Sequence, residues 1–152
     1  MTKLASGVTI ALNRSGQCIS HYYGSGIMES SERKILVVDD NADAADMTAQ
    51  MLQLYGLNVQ VAYGGTQGLA NVRATHPDLV FLDIGMPVMD GYQVAEAVRA
   101  DQSLKDVKLV ALTAWGDEAS RSRARAAGFD LHLTKPADIL ELVDIASGIL
   151  PA

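Results

Sequence analysis

A single cysteine, Cys18, is all the thiol chemistry the chain has. It can form no internal disulfide and no thiolate metal cage, and this usage suits a reducing compartment. Basic runs are also missing. Twelve Lys and Arg stand against 18 Asp and Glu, a formal charge of −6, and no stripe complements nucleic-acid phosphates or anionic lipid. The reading is therefore no nucleic acid and no membrane surface. No stretch approaches the roughly 18 uninterrupted apolar residues of a spanning helix. A secretory core is lacking too, because the apolar patch at residues 8–12 follows a lone Lys3 and is broken by Thr9. A cytoplasmic location is the expectation. What the chain does have is apolar substance: 49% of its 152 residues are hydrophobic and 20% charged. That is enough for one ordinary domain with a real core, and it excludes disorder, collagen and coiled coil over most of the length.

The character of the sequence changes near residue 33. Residues 1–33 show no helical periodicity and hold two stretches with strand potential, 8–12 and 17–23, separated by the polar segment Asn13-Arg14-Ser15-Gly16. That pattern reads as a hairpin, and two strands alone need a surface to lean on, such as a sheet edge or another chain. Alternatively the extension is a linker, the tail of an upstream domain, or a leader ahead of a native start at Met28. Residues 34–152 form the second unit. Short apolar runs at 35–38, 59–62, 79–82, 107–112 and 131–133 alternate there with helically spaced segments. Such runs, rich in Val, Ile and Leu without polar alternation, are what strands look like when both faces are covered. The repeating βα order predicts an α/β fold, a parallel sheet doubly wound by helices.

Punctuation supports these elements. Met47, Met51 and Leu54 mark the first helix by their spacing, with Asn41 as its cap; Asp90 and Gln93 have capping-box spacing; Gly56 and Gly128 follow helical stretches. Pro136 is placed at a helix's first position, and His76 before Pro77 at a helix end. Residues 116–127 contain no large aliphatic side chain, so that helix has little to bury and is expected to be loosely held.

In an open parallel sheet, ligands bind beyond the carboxyl ends of the strands. Asp39 and Asp40 follow the first strand, Asp83 the third, Thr113 the fourth and Lys135 the fifth. Singly, each is explained as turn, cap or surface chemistry. Jointly they are not, because gathered carboxylates raise one another's pKa unless positive charge sits among them. Lys135 and a hard divalent cation such as Mg²⁺ are the natural counter-charges.

The strings KILVVDDN (34–41), LVFLDIGMPVMDGY (79–92), LVALTAWG (109–116) and HLTKP (132–136) resemble the signature segments of response-regulator receiver domains of two-component signalling. The spacings of 30 residues from Asp83 to Thr113 and 22 from Thr113 to Lys135 are similar to the family's. The resemblance implies a five-stranded, flavodoxin-like sheet in the order 2-1-3-4-5, the fold of the chemotaxis regulator. It implies phosphorylation of Asp83 to an aspartyl phosphate, by a histidine kinase or a histidine phosphotransfer protein. Asp40, Asp83 and the Gly85 carbonyl would hold Mg²⁺, with Asp39 acting through a water. Thr113 and Lys135 would attend the phosphoryl oxygens, and Mg²⁺-dependent self-phosphorylation and autodephosphorylation would be the only chemistry. Met86 and Met89 pack their loop, since a thioether is too soft a ligand for Mg²⁺.

Output is implied at the face of the fourth helix, fifth strand and fifth helix, through a downstream protein partner, with homodimerisation left open. The family commonly carries Tyr or Phe three residues before the lysine, an aromatic that rotates inward as the threonine moves; here the residue is His132. His132 is either a switch residue, with coupling that varies between about pH 5 and 8, or a half-buried strand residue with its nitrogens satisfied. The Lys135-Pro136 bond, commonly cis in the family, is left open by sequence. With no effector segment after residue 152, the expectation is a phosphorelay receiver acting by contact, either free-standing or cut from a hybrid sensor kinase. A phosphorylation-independent binding module is the alternative, disfavoured because none of Asp40, Asp83, Thr113 and Lys135 is missing. A hydrolase with an aspartyl nucleophile is disfavoured by the lack of room for a cap domain.

Overall fold

The computed structural model describes residues 9–12, 18–21 and 33–148. The two N-terminal stretches are strands, β1 (Thr9–Leu12) and β2 (Cys18–His21), paired antiparallel with Leu12 opposite Cys18. This agrees with a hairpin; its expected loop at 13–16 lies outside the described residues, as does the rest of the extension.

From Lys34 the elements run β3 (Lys34–Val38), α1 (Ala42–Leu54), β4 (Asn58–Ala62), α2 (Gly65–Thr75), β5 (Leu79–Asp83), α3 (Gly91–Ala100), β6 (Lys108–Thr113), α4 (Glu118–Ala127), β7 (Leu131–Thr134) and α5 (Ile139–Ala146). The sheet order is β4-β3-β5-β6-β7 and every pairing in it is parallel, which is the expected 2-1-3-4-5. Alternate strand residues feed opposite faces. Leu36, Val38, Val80, Leu82 and Leu109 pack with α2, α3 and α4, while Ile35, Val37, Phe81, Val110 and Leu112 pack with α1 and α5. Covering both faces is why the strands read as unbroken apolar runs.

The caps fall where the sequence places them. Asn41 accepts the Ala44 N–H at 3.1 Å, and Asp90 and Gln93 form a reciprocal capping box. Gly56 and Gly128 follow α1 and α4 at φ 82° and 107°, and left-handed His76 ends α2.

Met47, Met51 and Leu54 lie on α1, as their spacing predicts, and on its exposed side: Ala45, Ala49 and Leu52 are the buried residues. Small residues let α1 lie close against the sheet, which turns the bulky ones outward. Pro136 does not begin α5. That helix is capped by Asp138, which accepts the Leu140 N–H at 2.9 Å, and Pro136 lies before it in a cis Lys135-Pro136 bond.

Candidate functional site

Because the strands are parallel, their carboxyl ends share one edge, and the predicted residues meet there. Asp39 and Asp40 follow β3, Asp83 ends β5, Thr113 ends β6, and Lys135 follows β7. Among the described residues, Asp39, Asp83 and Thr113 are the buried polar side chains, so the fold spends its polar burial on this edge. Burying carboxylates is costly without compensation. The Lys135 ammonium supplies it, lying 3.1 Å from Asp39 Oδ2 and 3.1 Å from Asp83 Oδ1. Asp39 Oδ1 also accepts the Asn41 N–H at 3.0 Å.

Compensation is incomplete at Asp83. Burial first, and then the charge of Asp39, push its pKa above the ordinary carboxylate value, although Lys135 pulls the other way. Burial likewise pulls the Lys135 ammonium down, but its contacts with Asp83 and Asp39 outweigh that and hold its pKa high. The site thus has an excess of negative charge. Carboxylate oxygens of Asp39, Asp40 and Asp83 lie within 4.8 Å of one another. Three hard oxygen donors around that excess fit a cation such as Mg²⁺.

The loops around the carboxylates are tightly set. A side chain at Gly91 would meet the Asp83 carbonyl oxygen at 2.5 Å, so the first turn of α3 sits against the backbone of the Asp83 strand end. Gly85 is exposed two residues beyond Asp83. Met86 is buried and Met89 packs against the core, as expected of loop-packing residues. Thr113 Oγ1 accepts the Trp115 N–H at 3.1 Å, and the Lys135 N–H donates to the Thr113 carbonyl at 2.7 Å, tying the two loops together. The Trp115 side chain, the sole tryptophan, is 70% exposed beside this edge.

His132 is not brought to the carboxylate edge. It lies on β7 toward α4, and the expectation that its nitrogens are satisfied is not met: among the described residues neither Nδ1 nor Nε2 has a partner. Sequence reading also missed an apolar cavity of about 490 Å³ between α1 and α5, lined by Met47, Met51, Pro136 and Leu142 and reaching Asp39 and Lys135. Its signal was present in Met47 and Met51, large apolar residues of α1.

The model of the response regulator receiver domain matches residues 35–147. The chain belongs to that family. A transcriptional regulatory protein of Mycobacterium leprae, PrrA, is 38% identical over 120 residues, covering 79% of this chain and 51% of that protein. Protein PilG of Pseudomonas aeruginosa is 29% identical over 82% of this chain and 92% of its own length. Among solved structures, the Vibrio cholerae chemotaxis protein CheY4 aligns with a TM-score of 0.72 at 29% identity, covering 78% of this chain and 98% of that chain. The receiver spans about half the length of PrrA. Receiver domains are signalling modules rather than conventional enzymes, work with histidine kinases or phosphotransfer proteins, and bind Mg²⁺ at an acidic pocket. Among the described residues of this one, no helix is long and apolar enough to cross a membrane.

Proposed function

We propose that this receiver, residues 34–152, accepts a phosphoryl group on Asp83 from the phosphohistidine of a histidine kinase or a histidine phosphotransfer protein. The observation that carries the reading is the placement of Asp83, buried among carboxylates with the Lys135 ammonium 3.1 Å away. A carboxylate oxygen of Asp83 attacks phosphorus, an O–P bond forms, and the P–N bond breaks with its electron pair leaving on the imidazole nitrogen. Phosphoryl transfer is mostly positioning and charge neutralisation. Lys135 offsets charge on the phosphoryl oxygens, and the Thr113 hydroxyl, held by its bond from Trp115, donates to one of them. Asp40, Asp83 and the Gly85 carbonyl would hold Mg²⁺, with Asp39 acting through a water. Bound there, the ion supplies neutralisation of the carboxylates and of the incoming phosphoryl charge. Water attacking the same phosphorus breaks the Asp83 O–P bond, returns the carboxylate and releases inorganic phosphate, which resets the switch.

The apolar cavity beside Asp39 and Lys135 supports docking of the donor on this side, since the donor must bring its phosphohistidine to Asp83. The added charge of about −1.5 to −2 draws Thr113 and Lys135 inward and biases α4, so that the α4–β7–α5 face carries the output to a protein partner.

Intact-mass measurement with Mg²⁺ and acetyl phosphate tests the reading, beside Asp83→Asn and a chelator control. One phosphoryl adduct, absent from both controls, is the expected result. No adduct under any condition overturns it in favour of a phosphorylation-independent binding module.

A further inference from the structure

Strand β7 sends Leu131 and Leu133 toward the α1 and α5 side of the sheet and His132 toward α4. The imidazole reaches a groove of about 350 Å³ between α4 and β7, lined also by Glu118, Arg121, Arg125 and Phe129. Both ring nitrogens are shut off from solvent and, among the described residues, neither has a hydrogen-bond partner. A neutral imidazole needs one acceptor and one donor, so this placement leaves two buried groups unpaired. An imidazolium would do worse, with two donors and no acceptor.

The charged groups around the ring set the direction of any escape. Helix α4 presents Asp117, Glu118, Arg121 and Arg125. The turn into β7 brings Asp130, which Arg99 engages at 2.9 Å, and β6 sets uncharged Ala111 in register with His132. Burial first, and then Arg121, pull the His132 pKa below its ordinary 6.5, while its own backbone and Asp117 oppose them. Arg121 therefore repels a charged ring. The carboxylates at the end of α4 nearer the phosphoacceptor edge are Asp117, which caps the helix by accepting the Ser120 N–H at 3.2 Å, and Glu118, which Arg125 engages at 3.1 Å, so a charged ring that turns toward them competes with the contacts that hold the start of α4.

We propose that His132 is a proton-operated gate on the α4–β7 groove: the neutral ring stays tucked against β7, and protonation turns it out toward Asp117 and Glu118, displacing the start of α4. The tucked form is then full at neutral pH and is lost as pH falls below the ordinary histidine range. Helix α4 is easily displaced because it buries only Ala124 and Ala127. What the gate transmits rests on the receiver reading above; the gate itself rests on the surroundings of His132.

The test is a pH titration of the full chain by NMR, following the three histidines and the backbone amides of Glu118–Ala127, with His132→Phe and His132→Gln as references. The expected result is a His132 midpoint below 6.5 and an α4 transition at the same midpoint, absent from both variants. The wild-type titration is decisive even if a variant fails to fold. A His132 midpoint at or above 6.5, or α4 amides that do not follow it, overturns the gate. Intact mass with acetyl phosphate on the same samples keeps the two readings apart. An adduct with a pH-invariant α4 overturns the gate alone, and a coincident titration with no adduct overturns the phosphoacceptor reading alone.

Discussion

The Lys135 ammonium stands 3.1 Å from Oδ1 of Asp83, reaching the strand end from the loop after β7. It is the counter-charge that lets Asp39 and Asp83 be buried together. Lys135→Met should therefore cost stability and function by separate routes. The pair is partly exposed on the lysine side, so the loss falls between surface and buried limits, roughly 1–2 kcal/mol. The phosphoryl adduct from acetyl phosphate should form on the order of 100-fold more slowly, the usual scale for losing one preorganised positive partner. Urea unfolding and intact-mass time courses measure both. An unchanged adduct rate would remove Lys135 from the proposed chemistry.

Neutralising Asp83 should have the opposite effect on stability. Its folded pKa lies above the value in the unfolded chain, 3.8, because of burial and Asp39. At low pH both states hold the proton. As pH rises, the unfolded chain ionises first, so the folded state loses ground until pH passes the folded pKa, and the deficit persists at neutrality. Asp83→Asn in metal-free buffer should then be more stable than wild type at pH 7, on the order of 1 kcal/mol. The difference should fade as pH approaches the ordinary aspartate range. Mg²⁺ should stabilise wild type but much less the variant, because a ligand stabilises only the state that binds it. Melting curves at several pH values, with and without Mg²⁺, decide it; a variant less stable at pH 7 would contradict the electrostatic account.

Much of this site could be read in the sequence because a parallel sheet turns strand order into position. Once residues 79–82 and 107–112 read as two-face-buried strands, Asp83 and Thr113 had to lie at one edge. Capping residues were equally legible, since Asn41 and Asp90 act within three residues of themselves. What escaped depends on partners distant in sequence. The facing of α1 is set by how closely Ala45 and Ala49 approach the sheet, which the helical spacing of Met47, Met51 and Leu54 does not show. The unpaired nitrogens of His132 depend on where α4 settles, which no local pattern encodes.

Val88 sits at φ 70° in the loop after Asp83 and is 97% exposed. A β-branched residue pays for that left-handed backbone and recovers nothing by packing. Asn tolerates the conformation, and Val88→Asn should add roughly 0.5–1 kcal/mol without changing the adduct yield. Chemical denaturation with a parallel intact-mass assay checks both. A stabilised variant with impaired transfer from a protein donor, but normal yield from acetyl phosphate, would assign the exposed side chain to donor contact.

Arg99 gathers the ends of elements at the opposite edge of the sheet. Its Nε donates to the Gly128 carbonyl at 2.9 Å, Nη1 to Val107 O at 2.8 Å, and Nη2 to Asp130 Oδ2 at 2.9 Å. The same Asp130 oxygen accepts the Leu109 N–H at 2.9 Å. Any side chain at Gly128 would collide with Arg99, so the left-handed end of α4 is fitted to this guanidinium. With so little of α4 buried, the clamp fixes its C-terminal end and leaves the end near Thr113 free to move. Arg99→Met should cost about 2–3 kcal/mol, the scale of lost hydrogen bonds to a charged group. It should also raise amide exchange across Glu118–Ala127 beyond the global change. Adduct formation at Asp83 should survive, because that site lies at the other end of the strands. Exchange that accelerates uniformly over the whole chain would reduce Arg99 to a general stabiliser and would leave α4 without a pivot.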